Sequence, residues 1–193
     1  MNKAVKTTEA TEAKIIAAAT RCFVRYGARK TSMNDIAREA GLSRQTIYDL
    51  LGGKDDLICA CIRTITDQNL SDVRARLEKS TSLAESLEIY FAETIVKSFE
   101  LLQTSGDAED LISGHNDAGK EEIARSHLKH ESLVTELLSP YTESLRSLNL
   151  TPAEQAHFLV TVVMGLKYGA KSRNDLDALL DALKRNILNA SSA

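Results

Sequence analysis

The stretch TSMNDIAREAGLSRQTIYDLLGGK, residues 31–54, holds two short amphipathic segments separated by Gly41-Leu42-Ser43. Ser32 stands where a helix N-cap belongs, and Asp35 three residues on completes a capping box. Ile36, Ala37 and Ala40 make one inner face, Gly41 is the stop, and Leu42 is an inward plug. Ser43 then caps a second helix, Arg44 to Leu51, which Gly52-Gly53 closes. Two short helices joined by so tight a turn form a helix-turn-helix, whose second helix can enter the major groove of a duplex.

At 100° per residue the second helix sorts itself by chemistry. Ile47, Leu50 and Leu51 fall within about 100° of one another and face inward, while Arg44, Gln45, Tyr48 and Asp49 span about 140° on the other side. That outer set is what base reading needs. Arginine forks onto guanine O6 and N7, glutamine pairs with adenine, and aspartate accepts from cytosine N4. Tyr48 offers a phenol to a phosphate or a flat ring to a thymine methyl.

Outward from this stretch, apolar residues recur at helical spacing. Ile15, Ala18, Ala19, Cys22, Phe23 and Tyr26 predict a helix from about Thr11 to Tyr26, stopped by Gly27. The basic pair Arg29-Lys30 fills the link that follows. Lys54-Asp55-Asp56 opens a helix reaching as far as Leu77. Leu83, Leu87, Tyr90, Phe91, Ile95 and Phe99 mark another over 82–104, and Ile123, His127, Val134, Leu137 and Leu138 mark one that Pro140 ends. Gly106 to Gly119 has little rhythm and reads as a loop or a short helix. Thr151-Pro152-Ala153-Glu154 is a sharp helix start, and Leu176, Leu179, Leu180, Leu183 and Ile187 stripe the last helix, from Asn174 to about Leu188. With 2 Pro and 9 Gly in 193 residues, the chain is all-α.

Composition narrows the function classes. No apolar run approaches the ~20 residues that span a bilayer, and the polar start, Met1 to Thr11, has no export signal. Three cysteines, Cys22, Cys59 and Cys61, without a spaced framework point to a reducing cytoplasm. Cys59 and Cys61 project about 200° apart on a helix, so they do not jointly hold a metal. The net charge of −3 hides an asymmetry: residues 1–62 carry +3 and residues 63–193 carry −6. The basic end suits phosphates. No Gly-rich phosphate loop, nucleophile motif or spaced metal cluster supports an enzyme, and no cofactor is implied.

The run Phe23, Gly27, Thr31-Ser32, Ile36-Ala37, Ala40-Gly41-Leu42-Ser43, Thr46-Ile47-Tyr48, Lys54 and Leu57 resembles the TetR family of transcriptional regulators over about 45 residues. The resemblance implies an N-terminal three-helix DNA-binding domain, 1–55, followed by a larger helical domain, 56–193, that binds a small-molecule effector and dimerises. It implies that Thr31 or Ser32 bonds a phosphate, that Arg44 and Gln45 approach bases, that Tyr48 touches backbone or base, and that Lys54 grips a phosphate. Arg29 and Lys30 join this set by charge and position. One departure stands out: where family members often carry an aromatic or His pair after this Tyr, the chain reads Asp49-Leu50-Leu51. Leu50 makes no phosphate hydrogen bond, and Asp49 brings negative charge toward DNA, which weakens non-specific binding or narrows the sequence choice.

From Ala156 to Met164 the chain is apolar nearly all round. A helix of that kind is either the centre of a monomeric core or a subunit interface. Phe158 and Val162, the close-approach pair Gly165 and Gly169, and the stripe Leu176, Leu180, Leu183 and Ile187 together suggest a two-fold four-helix interface. A homodimer would read a palindromic operator with half-sites about one turn, ~34 Å, or a multiple apart. Tyr90, Phe91, Phe99 and Tyr141 are candidate lining for an effector pocket, or plain core. His127 and His130 with Glu131 have metal-ligand spacing, but scattered histidines in helical proteins are more often core or surface residues. The alternative to a repressor is a helical protein-interaction module with weakened or lost DNA binding.

Overall fold

The structure, a computed structural model, describes residues 3–104 and 117–192, with side chains for 7–103 and 117–191. Its described residues are helical, without strands. In order they form α1 (Lys3–Tyr26), α2 (Met33–Ala40), α3 (Arg44–Leu51), α4 (Lys54–Leu77), α5 (Leu83–Tyr90), a π-helical segment (Phe91–Val96), α6 (Lys97–Thr104), α7 (Asp117–Leu138), a 3-10 turn (Ser139–Tyr141), α8 (Thr142–Ser147), α9 (Pro152–Gly169) and α10 (Arg173–Ser192). Of the stretch read as a loop or short helix, 106–116 lie outside the described residues, and Asp117–Gly119 open α7. No helix among the described residues is long and apolar enough to cross a membrane.

The chain divides into two compact units. The first comprises the described residues of Met1–Asp67 and Leu102–Ser126. Its core gathers Ile15, Ala19, Cys22 and Phe23 of α1, Ile36 of α2, Ile47 of α3, and Leu57, Ile58 and Cys61 of α4. Each large aliphatic or aromatic side chain buried this way contributes about 1.5–3 kcal/mol. Leu42, Leu50 and Leu51 pack on the edge of that core. Within the same unit the buried carboxylate of Glu122 accepts from Arg63 at 2.9 Å and from Arg125 at 2.9 Å, bonds that hold its pKa below the usual range against the cost of burial.

The second unit comprises Gln68–Leu101 and the described residues of His127–Ala193. Its core joins Leu87, Tyr90, Phe91, Ile95 and Phe99 to Leu133, Val134 and Leu138, and to Leu159, Val160 and Val163 of α9. Leu176, Leu180, Leu183 and Ile187 of α10 are buried in this same cluster. The π-helical segment is pinned from α4: Asn69 donates to the Glu93 carbonyl at 2.9 Å, and Thr94 donates to the Asn69 side chain at 3.1 Å. The buried Glu93 carboxylate also accepts from Arg76 and Lys97.

Local chemistry explains the ends. Ser32 and Thr151 each make both halves of a capping box, with Asp35 and Glu154. Gly27 and Gly41 stop α1 and α2 at φ 78° and 62°, in the left-handed region. Two expectations shift. Helix α1 begins at Lys3 rather than near Thr11, because Lys3–Ala10 contains no breaker and a helix already nucleated extends through good formers. The predicted helix over 82–104 contains a π turn, which apolar spacing does not reveal.

Gly52 combines φ 77° with ψ −148°, a backbone region open almost only to glycine. A Cβ there would also lie 2.4 Å from the Asp56 carboxylate, which accepts from Gly53 N at 2.8 Å. At Gly41 a Cβ would meet only the far end of Lys14, 3.8 Å away. Gly52→Ala is therefore expected to destabilise by about 2–3 kcal/mol and Gly41→Ala by about 1 kcal/mol. Urea unfolding of both variants checks the order, and equal losses would contradict it.

Candidate nucleic-acid interface

The site is built on α3. Ser43 accepts from the Thr46 backbone N at 3.0 Å and fixes the first turn. Ile47, wholly buried, seats the helix on its unit's core. That leaves Arg44, Gln45, Tyr48 and Asp49 exposed together, the face expected from the 100° rotation. Tyr48 is 42% exposed, and the Arg44 guanidinium lies 5.7 Å from its ring centroid and 3.5 Å from its hydroxyl. Gln45 donates to Asp49 at 2.7 Å, so one amide proton of the candidate adenine reader is held by the unexpected acid.

The flanking basic residues converge. Lys54, at the start of α4, donates to the Arg29 carbonyl at 3.4 Å, which brings it against the exposed Arg29-Lys30 link. Ser32 is exposed at the mouth of α2, where its hydroxyl donates to Asp35 at 2.6 Å. These bonds hold the Asp35 carboxyl below its usual pKa. Thr31 departs from the expectation. It is 2% exposed, and its hydroxyl is spent on the Gly27 and Cys22 carbonyls at 2.8 and 3.2 Å, so it braces the α1–α2 link instead of facing a phosphate. Sequence spacing allowed Thr31 or Ser32, and of the two only Ser32 is exposed. The thiols offer no reactive group here: burial raises the pKa of Cys22 and Cys59, and that of Cys61 to about 11.

The candidate effector and dimer residues sort by exposure. Tyr90, Phe91 and Phe99 are buried in one apolar cluster, and Tyr141 packs half-buried against it. Phe158 is 52% exposed on α9, with Val162 half-buried and Gly165 and Gly169 exposed on the same side. A Cβ at either glycine would meet nothing within 4 Å, so the chain's own packing does not require them. The α10 stripe is different. Leu176, Leu180, Leu183 and Ile187 are at most 6% exposed within the single chain, where they seal its own core. Two residues escaped the sequence reading. Tyr168, 48% exposed, continues the Phe158 side, and Lys167, 9% exposed, continues the inward stripe one turn past Val163. The four-residue step from Val163 to Lys167 and the three-residue step from Gly165 to Tyr168 were the signals available.

The sequence model described as bacterial regulatory proteins, tetR family, matches residues 15–61, which take in α2, α3 and the turn between them. An uncharacterized HTH-type transcriptional regulator of Bacillus subtilis (strain 168), YezE, is 30% identical over 83 residues. That segment is 43% of this chain and 43% of the relative, so the match spans less than half the length of either. Among solved structures, the fatty acid degradation regulator FadR from Bacillus halodurans has a TM-score of 0.70 at 17% identity, covering 90% of this chain and 96% of that one. A TetR-family transcriptional regulator from Streptomyces coelicolor, SCO4454, has a TM-score of 0.69 at 18% identity, covering 94% and 96%. The named relatives are regulators, not enzymes. Residues 15–61 are thus similar to the bacterial tetR family of regulatory proteins, and the likeness of fold to solved structures extends over most of the chain's length.

Proposed function

We propose that this chain is a DNA-binding transcriptional repressor that works in the cytoplasm as a homodimer on a palindromic operator and responds to a small-molecule effector. In this reading residues 1–55 are the DNA-binding head, and residues 56–193 hold the effector and the partner subunit. The observation that carries it is the exposed face of α3, where Arg44, Gln45 and Tyr48 stand together on a helix anchored from behind by Ile47. Those side chains have the donors and the flat ring that base edges require. Arg29, Lys30, Ser32 and Lys54 supply contacts of the kind that position a protein on phosphates without reading sequence. The repressor direction rests on the family.

The dimer reading is supported by α9. Phe158, Gly165, Tyr168 and Gly169, with the half-buried Val162 between them, form a largely apolar exposed side, and an exposed apolar patch of that kind marks an interaction surface. A two-fold axis through it would bring α9 against its copy at close range, with the glycines permitting the approach. Asp49 and its hold on Gln45 favour one competing reading, a helical interaction module with weak DNA affinity.

Two substitutions separate reading from gripping. Arg44→Ala should remove about 1–3 kcal/mol of preference at one base pair. Lys54→Ala should weaken all duplexes about equally and lower the salt slope by about 1. Competitive gel shifts at two salt concentrations measure both, and unchanged base preference in the Arg44 variant would overturn the assignment of the reading face. Sedimentation at micromolar concentration should give a particle of twice 21.1 kDa, and Phe158→Glu should return it to 21.1 kDa. A wild-type monomer would contradict the dimer.

A further inference from the structure

The inward face of α9 runs Gln155, Ala156, Leu159, Val160, Val163 and then Lys167, at the three- and four-residue steps of one buried stripe. A lysine at the end of such a stripe is costly unless it is paired. Among the described residues, no carboxylate lies within ion-pair distance of Lys167. Its Nζ is 5.0 Å from the Tyr168 ring centroid, a neutral partner. Burial lowers its pKa to about 8, so at pH 7 most molecules still carry the charge inside.

The other groups around it are donors or neutral rings. From α7, His127 and His130 feel the Lys167 charge, which adds to burial in lowering both their pKa values, that of His130 to about 4. His130 is 4% exposed, and its Nδ1 lies 3.4 Å from the hydroxyl of the fully buried Tyr90. The acid on this part of α7, Glu131, is bonded to His157 at 2.9 Å. Tyr90 closes α5 where the backbone turns π-helical over Phe91–Val96, and π turns within α-helices occur often at functional sites. Tyr90, Phe91, Phe99 and Val163 share one apolar cluster. A phenol and an imidazole in contact thus lie within reach of a buried ammonium's charge beside apolar side chains, and the acid whose charge also reaches Tyr90 and His127, Glu131, is bonded to His157 rather than to Lys167.

We propose that Lys167, with His130 and Tyr90, forms the anion-binding end of the effector site, and that the effector is an organic monocarboxylic acid with an apolar body. This rests on the reading of the chain as ligand-responsive. One buried cation matches one carboxylate; the phenol and imidazole supply its remaining hydrogen bonds, and the ring cluster takes the apolar part. An uncompensated lysine in the unliganded state then makes sense as a group whose partner arrives with the ligand.

Thermal unfolding and calorimetric titration of the full chain at pH 7 test this. The probes are a panel of linear C4–C12 and aromatic monocarboxylates, each against its primary amide, on wild type, Lys167→Met and Lys167→Arg. At least one acid should raise Tm and bind tenfold or more tighter than its amide. Lys167→Met should raise the Tm of the unliganded protein, since a buried charge is gone, yet lose that affinity at least tenfold; Lys167→Arg should retain it. No binding by any acid, equal binding of acid and amide, undiminished binding in Lys167→Met, or a fall in its unliganded Tm would overturn the proposal. Duplex-release assays keep the two readings apart. Acids that bind through Lys167 without releasing duplex leave the site standing and sink ligand response. Neutral compounds that release duplex while acids do not bind do the reverse.

Discussion

An isolated helix of eight residues does not hold itself together in water, where even good sequences need about 12–15. Helix α3 is that short, so its existence depends on the burial of Ile47 in the core formed by α1, α2 and the start of α4. The serine caps and the glycine stops add only about 1 kcal/mol each, but they set where the helix begins and ends. Together these constraints decide which side chains point outward. Arg44, Gln45, Tyr48 and Asp49 are a surface because Ile47 is not.

That logic was legible because it is local. The capping pairs Ser32 with Asp35 and Thr151 with Glu154, the stops Gly27 and Gly41, and the split of α3 into two faces all follow from spacing and side-chain chemistry within one or two turns. What spacing does not say is what covers a buried face. The stripe Leu176, Leu180, Leu183 and Ile187 is apolar as its spacing indicates, and within the chain its cover is the second unit's own core. Thr31 and Ser32 are neighbours with the same hydroxyl chemistry. Only the path of the chain after Gly27 decides that one turns in and the other out. The π turn at Phe91–Val96 has no signature in apolar periodicity, since it shifts register by a single residue. Lys167 was hidden for a related reason: a charged residue one turn beyond Met164 looks like the return of a solvated surface, yet the helix carries it inward.

Buried charges in the chain are of two kinds, paired and unpaired. In the first unit, the buried carboxylate of Glu122 is matched by Arg63 and Arg125, and the arrangement braces α4 against α7. In the second unit, Glu93 is matched by Arg76 and Lys97, while Lys167 has no acid among the described residues. Paired buried charges are what a scaffold needs, and an unpaired one works against stability. Natural proteins tolerate such losses where function requires them. The asymmetry between α9 and the rest of the second unit is thus an argument about function drawn from energetics.

The central claim is that α3 reads sequence as one half of a two-fold pair. Selection of bound duplexes from a random pool, followed by sequencing, tests it most directly. The account predicts enrichment of a palindrome whose half-sites lie about one helical turn, or a multiple, apart. Recovery of unenriched duplexes at low salt would contradict it and favour the interaction module, with Asp49 and Leu50 as the residues to change first.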